Sequence, residues 1–138
     1  MRVSVSKNRN SLESGDEYFL LNRDAFYEHV DREDFECRKS TIIEATYHEN
    51  WFEIDNAFLP PILFIKDGKV KFINGRHRTA LLFSYLTEIP VIFLSPSASR
   101  FASATEVIEN KSLIGKLVQS LKPDRLFEFP DLPVKNLG

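Results

Sequence analysis

Cysteine is almost absent from this sequence of 138 residues, in which Cys37 is the single example. One cysteine cannot form an internal disulfide, and no Cys/His cluster with zinc-ligand spacing accompanies it. Long apolar runs are absent too, since none approaches the roughly 18 residues that a membrane-spanning helix needs. A disulfide-rich scaffold, a structural zinc site and a membrane-spanning helix are therefore not expected, and no other metal-ligating set is recognised.

A strong overall charge is also lacking. The net charge is only −2, which argues against a protein that is basic over its whole surface and binds nucleic acid through it. The first ten residues, MRVSVSKNRN, lack the apolar stretch of a secretory signal. We therefore expect a cytoplasmic protein. The length and the 43% of hydrophobic residues predict one domain, 1–138, with a substantial core.

The charges that are present are unevenly distributed. Residues 13–36 contain nine acidic residues and two arginines, whereas residues 66–78 contain three lysines and two arginines against one aspartate. The acidic segment is either an ordinary solvated surface or a docking surface for a basic protein partner. Lys66, Lys69 and Lys71 either follow a nucleic-acid backbone or form the exposed face of a strand.

The predicted secondary structure mixes strands and helices. Strands are predicted at 17–21, 62–65, 70–73 and 89–94, and helices at 23–30, 76–86 and about 104–121. Asp67-Gly68 is a strong hairpin signal between the second and third strands. Asn22 is the predicted cap of the first helix, and Ser103 with Glu106 forms a capping box for the last. The fold class is therefore α+β, a mixed sheet with flanking helices whose core spans 17–94.

Two segments are harder to assign. The stretch YHENWFEIDNAF, residues 47–58, is predicted to form a short helix that brings Trp51, Phe52 and Phe58 into the core. The tail, residues 122–138, is predicted to be irregular and to pack through Phe127 and Phe129.

The stretch FINGRHRTALL, residues 72–82, breaks a local rule. Arg76, His77 and Arg78 stand in the first turn of a predicted helix, where the macrodipole makes each positive charge cost about 0.3–1 kcal/mol. An anion would offset this cost, because helix-start amides behind a glycine already favour one. Arg78 can hold two phosphate oxygens, and His77 can donate to a third. The pattern predicts a phosphate site formed by Asn74, Gly75, Arg76, His77, Arg78 and Thr79, with Arg76, His77 and Arg78 as candidate catalytic residues.

The same residues also have a purely structural interpretation. Arg76 would then point to solvent, Arg78 would pair with Asp67 or Glu88, and His77 would be an ordinary hydrogen-bonded histidine. Similarly, His48 and Glu49 either join the pocket as acid–base or magnesium-linked groups, or belong to a surface turn. The residue pattern alone leaves both alternatives open.

Residues 59–94, LPPILFIKDGKVKFINGRHRTALLFSYLTEIPVIFL, resemble the core of the ParB/sulfiredoxin superfamily. In that superfamily a Pro-Ile strand, a hairpin, a Gly-x-[His/Arg]-Arg turn, an apolar helix and a Pro-Val strand build a nucleotide pocket. The resemblance implies that Gly75 is the phosphate-loop glycine and that His77 and Arg78 contact nucleotide phosphates. It also implies that Pro61 and Ile62 begin the strand beneath the pocket.

The sequence departs from the superfamily pattern at Arg76. Sulfiredoxins carry their catalytic cysteine at this position, and partition proteins carry an acidic residue there. Cys37 lies far away in the sequence and does not align with that cysteine. Reduction of sulfinic acids is therefore not expected. Operator binding is not expected either, because a single convincing helix follows residue 100.

Two classes of function follow. The first is a protein that binds ATP, CTP or a related phosphate ligand with Mg²⁺, with NTPase or nuclease activity left open. Superfamily members on plasmids include partition and fertility-inhibition proteins, so a plasmid, phage or other mobile-element role fits by analogy. The second is a non-catalytic binding module or inhibitor that uses the acidic surface 13–36.

Overall fold

The computed structural model describes residues 1–7, 15–39, 46–97, 103–122 and 124–135. The strands are β1 (Arg2–Val5), β2 (Glu17–Asn22), β3 (Tyr47–His48), β4 (Phe52–Glu53), β5 (Ala57–Phe58), β6 (Ile62–Lys66), β7 (Lys69–Asn74), β8 (Glu88–Phe93), β9 (Val118–Ser120), β10 (Phe127–Glu128) and β11 (Val134–Lys135). The helices are α1 (Arg23–His29), α2 (Arg32–Lys39), α3 (Arg76–Phe83) and α4 (Ala104–Leu117). Mixed sheets with flanking helices confirm the α+β class. Over these ranges no helix has the length and apolar character needed to cross a bilayer.

A five-stranded mixed sheet carries the candidate site. Its strand order is β7-β6-β8-β2-β9, in which β6 and β8 run parallel and the other neighbours run antiparallel. The buried run from Ile89 to Phe93 confirms the prediction of a covered strand. Asp67 and Gly68 both take positive φ angles, 53° and 72°, as a two-residue hairpin of this hand requires. The predicted hairpin is therefore confirmed.

The prediction of a helix at 47–58 is wrong. The chain instead forms β3, β4 and β5, separated by short 3₁₀ turns at Glu49–Trp51 and Ile54–Asn56. Asp55 and Asn56 take positive φ angles of 62° and 56°, which aspartate and asparagine tolerate and a helix excludes. The aromatic part of the prediction holds, since Trp51 and Phe58 are buried and Phe52 packs against the core.

Both later helices end earlier than predicted. The third helix ends at Phe83 rather than Leu86, and the fourth ends at Leu117 rather than near 121. The chain becomes extended at Val118 and then pairs with β2 as the edge strand β9. Hydrogen bonds from the sheet edge replace those that another helical turn would supply.

The tail is more regular than predicted. Phe127–Glu128 pairs with the first strand, and Val134–Lys135 pairs with the third. The predicted packing of the tail is confirmed, since Phe127 and Phe129 are buried. The first strand itself was not predicted, and it joins the four-stranded sheet of order β10-β1-β5-β4. Val3, Phe127 and Phe129 therefore belong to the hydrophobic core together with residues of the five-stranded sheet.

Candidate functional site

The candidate site lies at the corner where β7 ends and α3 begins, and Gly75 makes that corner. Its backbone is left-handed, with φ 95° and ψ 18°. A Cβ at this position would stand 2.5 Å from Cβ and 2.7 Å from Cα of Pro61. Glycine is therefore required both by its backbone angles and by Pro61. From the sequence, this glycine was expected to let a ligand approach the backbone, whereas in the structure Pro61 fills the space in which a side chain would lie.

The start of α3 differs from the starts of the other described helices. Side chains cap the first turns of α1, α2 and α4: Asn22 accepts from Ala25 N, Asp31 from Asp34 N and Ser103 from Glu106 N. No side chain of the cap residue Gly75 exists to do the same, and the first turn of α3 contains no acidic residue. The positive end of this helix dipole therefore lacks the local compensation that the other three receive.

A cavity of about 280 Å³ opens at this helix start. We call it the anion cavity, and its lining residues are Trp51, Ile73, Asn74, Gly75, Arg76, His77 and Arg78. The structure therefore brings five of the six predicted binding residues to one cavity. Thr79, the sixth, does not line it. It is fully buried, and its hydroxyl has no hydrogen-bond partner in the described part of the chain.

Arg76 lines the anion cavity, but its guanidinium is held from the other side. Nε donates to the backbone oxygen of Asp34 at 2.8 Å, and Nη2 donates to Oδ1 of Asp34 at 2.8 Å. Nη2 also approaches the carbonyl oxygen of Phe72 at 3.3 Å. The Arg76 side chain is 19% exposed. Arg76 thus does not point to solvent, which corrects the structural interpretation of this residue. Its predicted role in binding and catalysis stays a prediction, and the ion pair with Asp34 was not part of it.

Arg78 is held by a neutral group. Its Nη2 donates to Oδ1 of Asn74 at 3.0 Å, rather than pairing with Asp67 or Glu88 as the structural interpretation proposed. The same nitrogen lies 3.1 Å from the position that a Gly75 Cβ would take. The guanidinium therefore sits directly beside the helix start, and Asn74 orients it there. His77 stands next to it on the cavity wall, half-buried.

Acidic residues of α2 and of its cap contact basic residues of the segment 66–78, so part of the uneven charge in the sequence is balanced within the chain. Oδ2 of Asp34 accepts a hydrogen bond from Phe72 N at 3.0 Å, in addition to the contacts with Arg76. Asp31 forms an ion pair with Lys71 at 3.4 Å. The N–H of Asp34, together with Lys71, lowers the pKa of the Asp31 carboxyl below its ordinary value. The acidic and basic segments thus bind each other within the chain.

These internal pairs reduce both predicted partner surfaces. In the acidic segment Asp31 and Asp34 are engaged, and Asp16 accepts from Ser95 N. Among the hairpin lysines, Lys71 is half-buried and paired, whereas Lys66 and Lys69 are exposed. Glu13 lies outside the described residues. Binding of a basic protein partner to the acidic segment and of nucleic acid to the hairpin both stay predictions. Each of the two predicted surfaces now has fewer candidate residues.

His48 and Glu49 do not line the anion cavity. The His48 ring packs against Trp51 at 4.9 Å between centroids, and its buried Nδ1 has no hydrogen-bond partner among the described residues. His48 therefore supports the cavity wall from behind. The described part of the chain contains no group of three or more His, Cys, Asp or Glu residues arranged to hold a metal.

A larger cavity, of about 430 Å³, lies between α4 and the far side of the sheet. Phe19, Phe93, Val107 and Ile114 contribute to its mainly apolar lining, and Glu17 and Lys111 are its charged residues. Lys111 is the cationic residue in the described lining of this cavity, and it does not stand at a helix start. The anion cavity therefore matches the predicted phosphate site better.

No family model, no curated protein and no solved structure matches this chain. The resemblance to the ParB/sulfiredoxin superfamily therefore stays a prediction that depends on the order of motifs in residues 59–94. The geometry of the anion cavity stands independently of it.

Proposed function

We propose that this protein binds a phosphate-bearing ligand in the anion cavity. The observation that carries the proposal is the convergence at one opening of an uncapped helix start, the Arg78 guanidinium and the His77 ring. Helix-start amides and a guanidinium both favour phosphate oxygens, the first through the dipole and the second through paired N–H groups. Asn74 keeps the guanidinium at the opening by a hydrogen bond of 3.0 Å.

A nucleotide is the ligand class that we propose. The superfamily resemblance implies ATP or CTP, and two apolar side chains, Trp51 and Ile73, form part of the cavity wall. Ile73 is 54% exposed, so its apolar side chain can contact the organic part of a ligand. Mg²⁺ would enter as the companion of the nucleotide phosphates and keep several of its waters.

Binding, rather than hydrolysis, is what the geometry supports best. The described residues that line the anion cavity include no carboxylate to act as a general base. His77 lines the cavity, and histidine is the residue type most often used as a general acid or base. NTPase or nuclease activity stays a prediction, with His77 as the residue to test first.

Calorimetric titration with ATP, CTP, AMP and inorganic phosphate tests the proposal. We expect saturable binding of at least one of these ligands to the wild type and a loss of about tenfold or more in affinity for Arg78→Ala. Arg2→Ala is the matched control, because Arg2 forms an exposed ion pair with Glu128 and does not line the cavity. Equal affinity in the wild type and Arg78→Ala would contradict the proposal.

A further inference from the structure

In the part of the chain that the structure describes, β7 is an end strand of the five-stranded sheet, with β6 as its neighbour. An edge strand offers its outward N–H and C=O groups to another strand, which invites self-association. We propose that the ion pair between Asp34 and Arg76 takes the place of a residue of a further strand, and so prevents β7 from pairing with the β7 of a second copy of this chain. This inference concerns self-association and does not depend on a ligand in the anion cavity.

The outward backbone groups of β7 belong to alternate residues. In an antiparallel ladder, residues that bond the neighbouring strand alternate with residues whose N–H and C=O groups point away from it. Val70 and Phe72 are of the second kind, because both bond groups outside the sheet. The carbonyl oxygen of Val70 accepts from Asp31 N at 2.9 Å, and Val70 forms a parallel bridge with Val30. The main chain between α1 and α2 therefore covers the first outward residue.

Phe72 is covered by two side chains instead. Its N–H donates to Oδ2 of Asp34 at 3.0 Å, and its carbonyl oxygen accepts from Nη2 of Arg76 at 3.3 Å. Nη2 also donates to Oδ1 of Asp34 at 2.8 Å, which joins the two side chains to each other. A residue of an adjacent antiparallel strand makes the same exchange, because its carbonyl accepts and its N–H donates. The ion pair thus supplies the acceptor and the donor that a strand residue would supply.

Aromatic contacts hold α2 against this edge. The rings of Phe35 and Phe72 are stacked with centroids 5.5 Å apart, and Phe26 packs edge-on against them at 5.3 Å and 5.8 Å. All three rings are buried. Phe35 directly follows Asp34, so this packing fixes the carboxylate at the Phe72 N–H. A strand of a second copy would have to displace Asp34 before it could bond the edge.

Sedimentation velocity of Asp34→Ala at several protein concentrations tests the inference. This variant removes both the acceptor of Phe72 N and the anion that holds Arg76. We expect its apparent mass to rise above that of the wild type as the concentration increases, towards that of a dimer. Asp24→Ala is the matched control, because Asp24 is an exposed acid of α1 that pairs with Arg23. A folded Asp34→Ala that sediments as the wild type does would overturn the inference, and so would an equal rise in Asp24→Ala.

A second substitution shows whether the association uses β7. Ile73 is 54% exposed, and Ile73→Lys adds a third cation to β7 beside Lys69 and Lys71. Like charges on two facing edges oppose their pairing. Ile73→Lys combined with Asp34→Ala should therefore return the apparent mass to the wild-type value. Association that persists in the double variant would come from another surface or from unfolded chains, and would overturn the inference.

Hydrogen exchange in the wild type covers the case in which Asp34→Ala does not fold. An outward amide of an open edge strand exchanges quickly, whereas an amide that is bound to a carboxylate oxygen of the fold is protected. We expect the Phe72 amide to exchange about a hundredfold or more slowly than an unprotected amide. Exchange of the Phe72 amide at the unprotected rate would show that Asp34 does not close the edge, and would overturn the inference.

Discussion

Arg76 and Arg78 stand two residues apart in the same helical turn, yet they contact different partners on the two sides of the corner between β7 and α3. On the Asp34 side, Arg76 is bound to a carboxylate and to a backbone oxygen. On the cavity side, Arg78 is oriented by the neutral amide of Asn74. The residue type and the position in the helix are nearly the same. The element packed against each side chain therefore decides whether the guanidinium donates to a carboxylate or to a neutral amide.

The largest effect that we predict tests the corner on which this comparison depends. Gly75→Ala should lower the free energy of unfolding by about 2–5 kcal/mol, from left-handed strain and from overlap with Pro61. Gly68→Ala is the matched control, because Gly68 also has a positive φ but a Cβ there meets nothing within 4 Å. That variant should lose only about 1–2 kcal/mol. Equal losses in chemical denaturation would show that Pro61 does not constrain Gly75.

The second prediction separates the two arginines by stability. Arg76→Ala should destabilise the protein by about 2–3 kcal/mol, because it leaves the partly buried carboxylate of Asp34 without its cation. Asn74→Ala, which removes the neutral amide that orients Arg78, should cost about 1 kcal/mol, the value of one such hydrogen bond. Chemical denaturation of both variants measures the difference. Similar losses would mean that the contacts of Arg76 with Asp34 and of Arg78 with Asn74 contribute equally to stability, which would contradict the comparison.

The comparison also shows what the sequence can and cannot predict. Signals that are local in the chain were confirmed: the Asp67-Gly68 hairpin and the caps at Asn22 and Ser103 each depend on residues within a few positions. The partner of Arg76 lies 42 residues earlier, on a helix that the sequence analysis did not assign. No local pattern identifies such a contact. The phosphate site was therefore predicted as a set of residues, but not the division of charge within it.

Local propensity failed where tertiary pairing decided the structure. The residues 118–120 follow a regular helical pattern, yet they extend and join the sheet edge formed by the second strand. Residues 47–58 are rich in aromatic side chains that suit the buried face of either a helix or a strand. Asp55-Asn56 was the available signal for a turn there, since both residue types adopt left-handed angles readily.

A smaller effect distinguishes two lysines of the hairpin. Lys71 pairs with Asp31 at 3.4 Å and is 29% exposed, whereas Lys69 is exposed. Lys71→Met should lower the free energy of unfolding by about 0.5–1 kcal/mol, and Lys69→Met by less than about 0.5 kcal/mol. Adding salt should reduce the difference between the two variants, because screening weakens a partly exposed ion pair. If both variants lose the same free energy of unfolding and respond equally to salt, the Lys71–Asp31 pair does not stabilise the fold.

The last prediction concerns the acid that caps α2 on the Asp34 side. The pKa of Asp31 is lowered in the folded protein, first by the N–H of Asp34 and then by Lys71. Its charge therefore stabilises the fold at any pH above the ordinary aspartate pKa of about 3.9, and this contribution fades as the pH falls through the lower folded value. Asp31→Asn retains a side-chain oxygen for the cap but removes the charge. The stability difference between wild type and Asp31→Asn should consequently be constant from pH 7 to about pH 5 and should shrink below about pH 4. A stability difference between wild type and Asp31→Asn that stays the same at pH 3 would contradict this prediction. It would show that the charge of Asp31 contributes nothing and that the amide oxygen is a poorer cap than the carboxylate for geometric reasons alone.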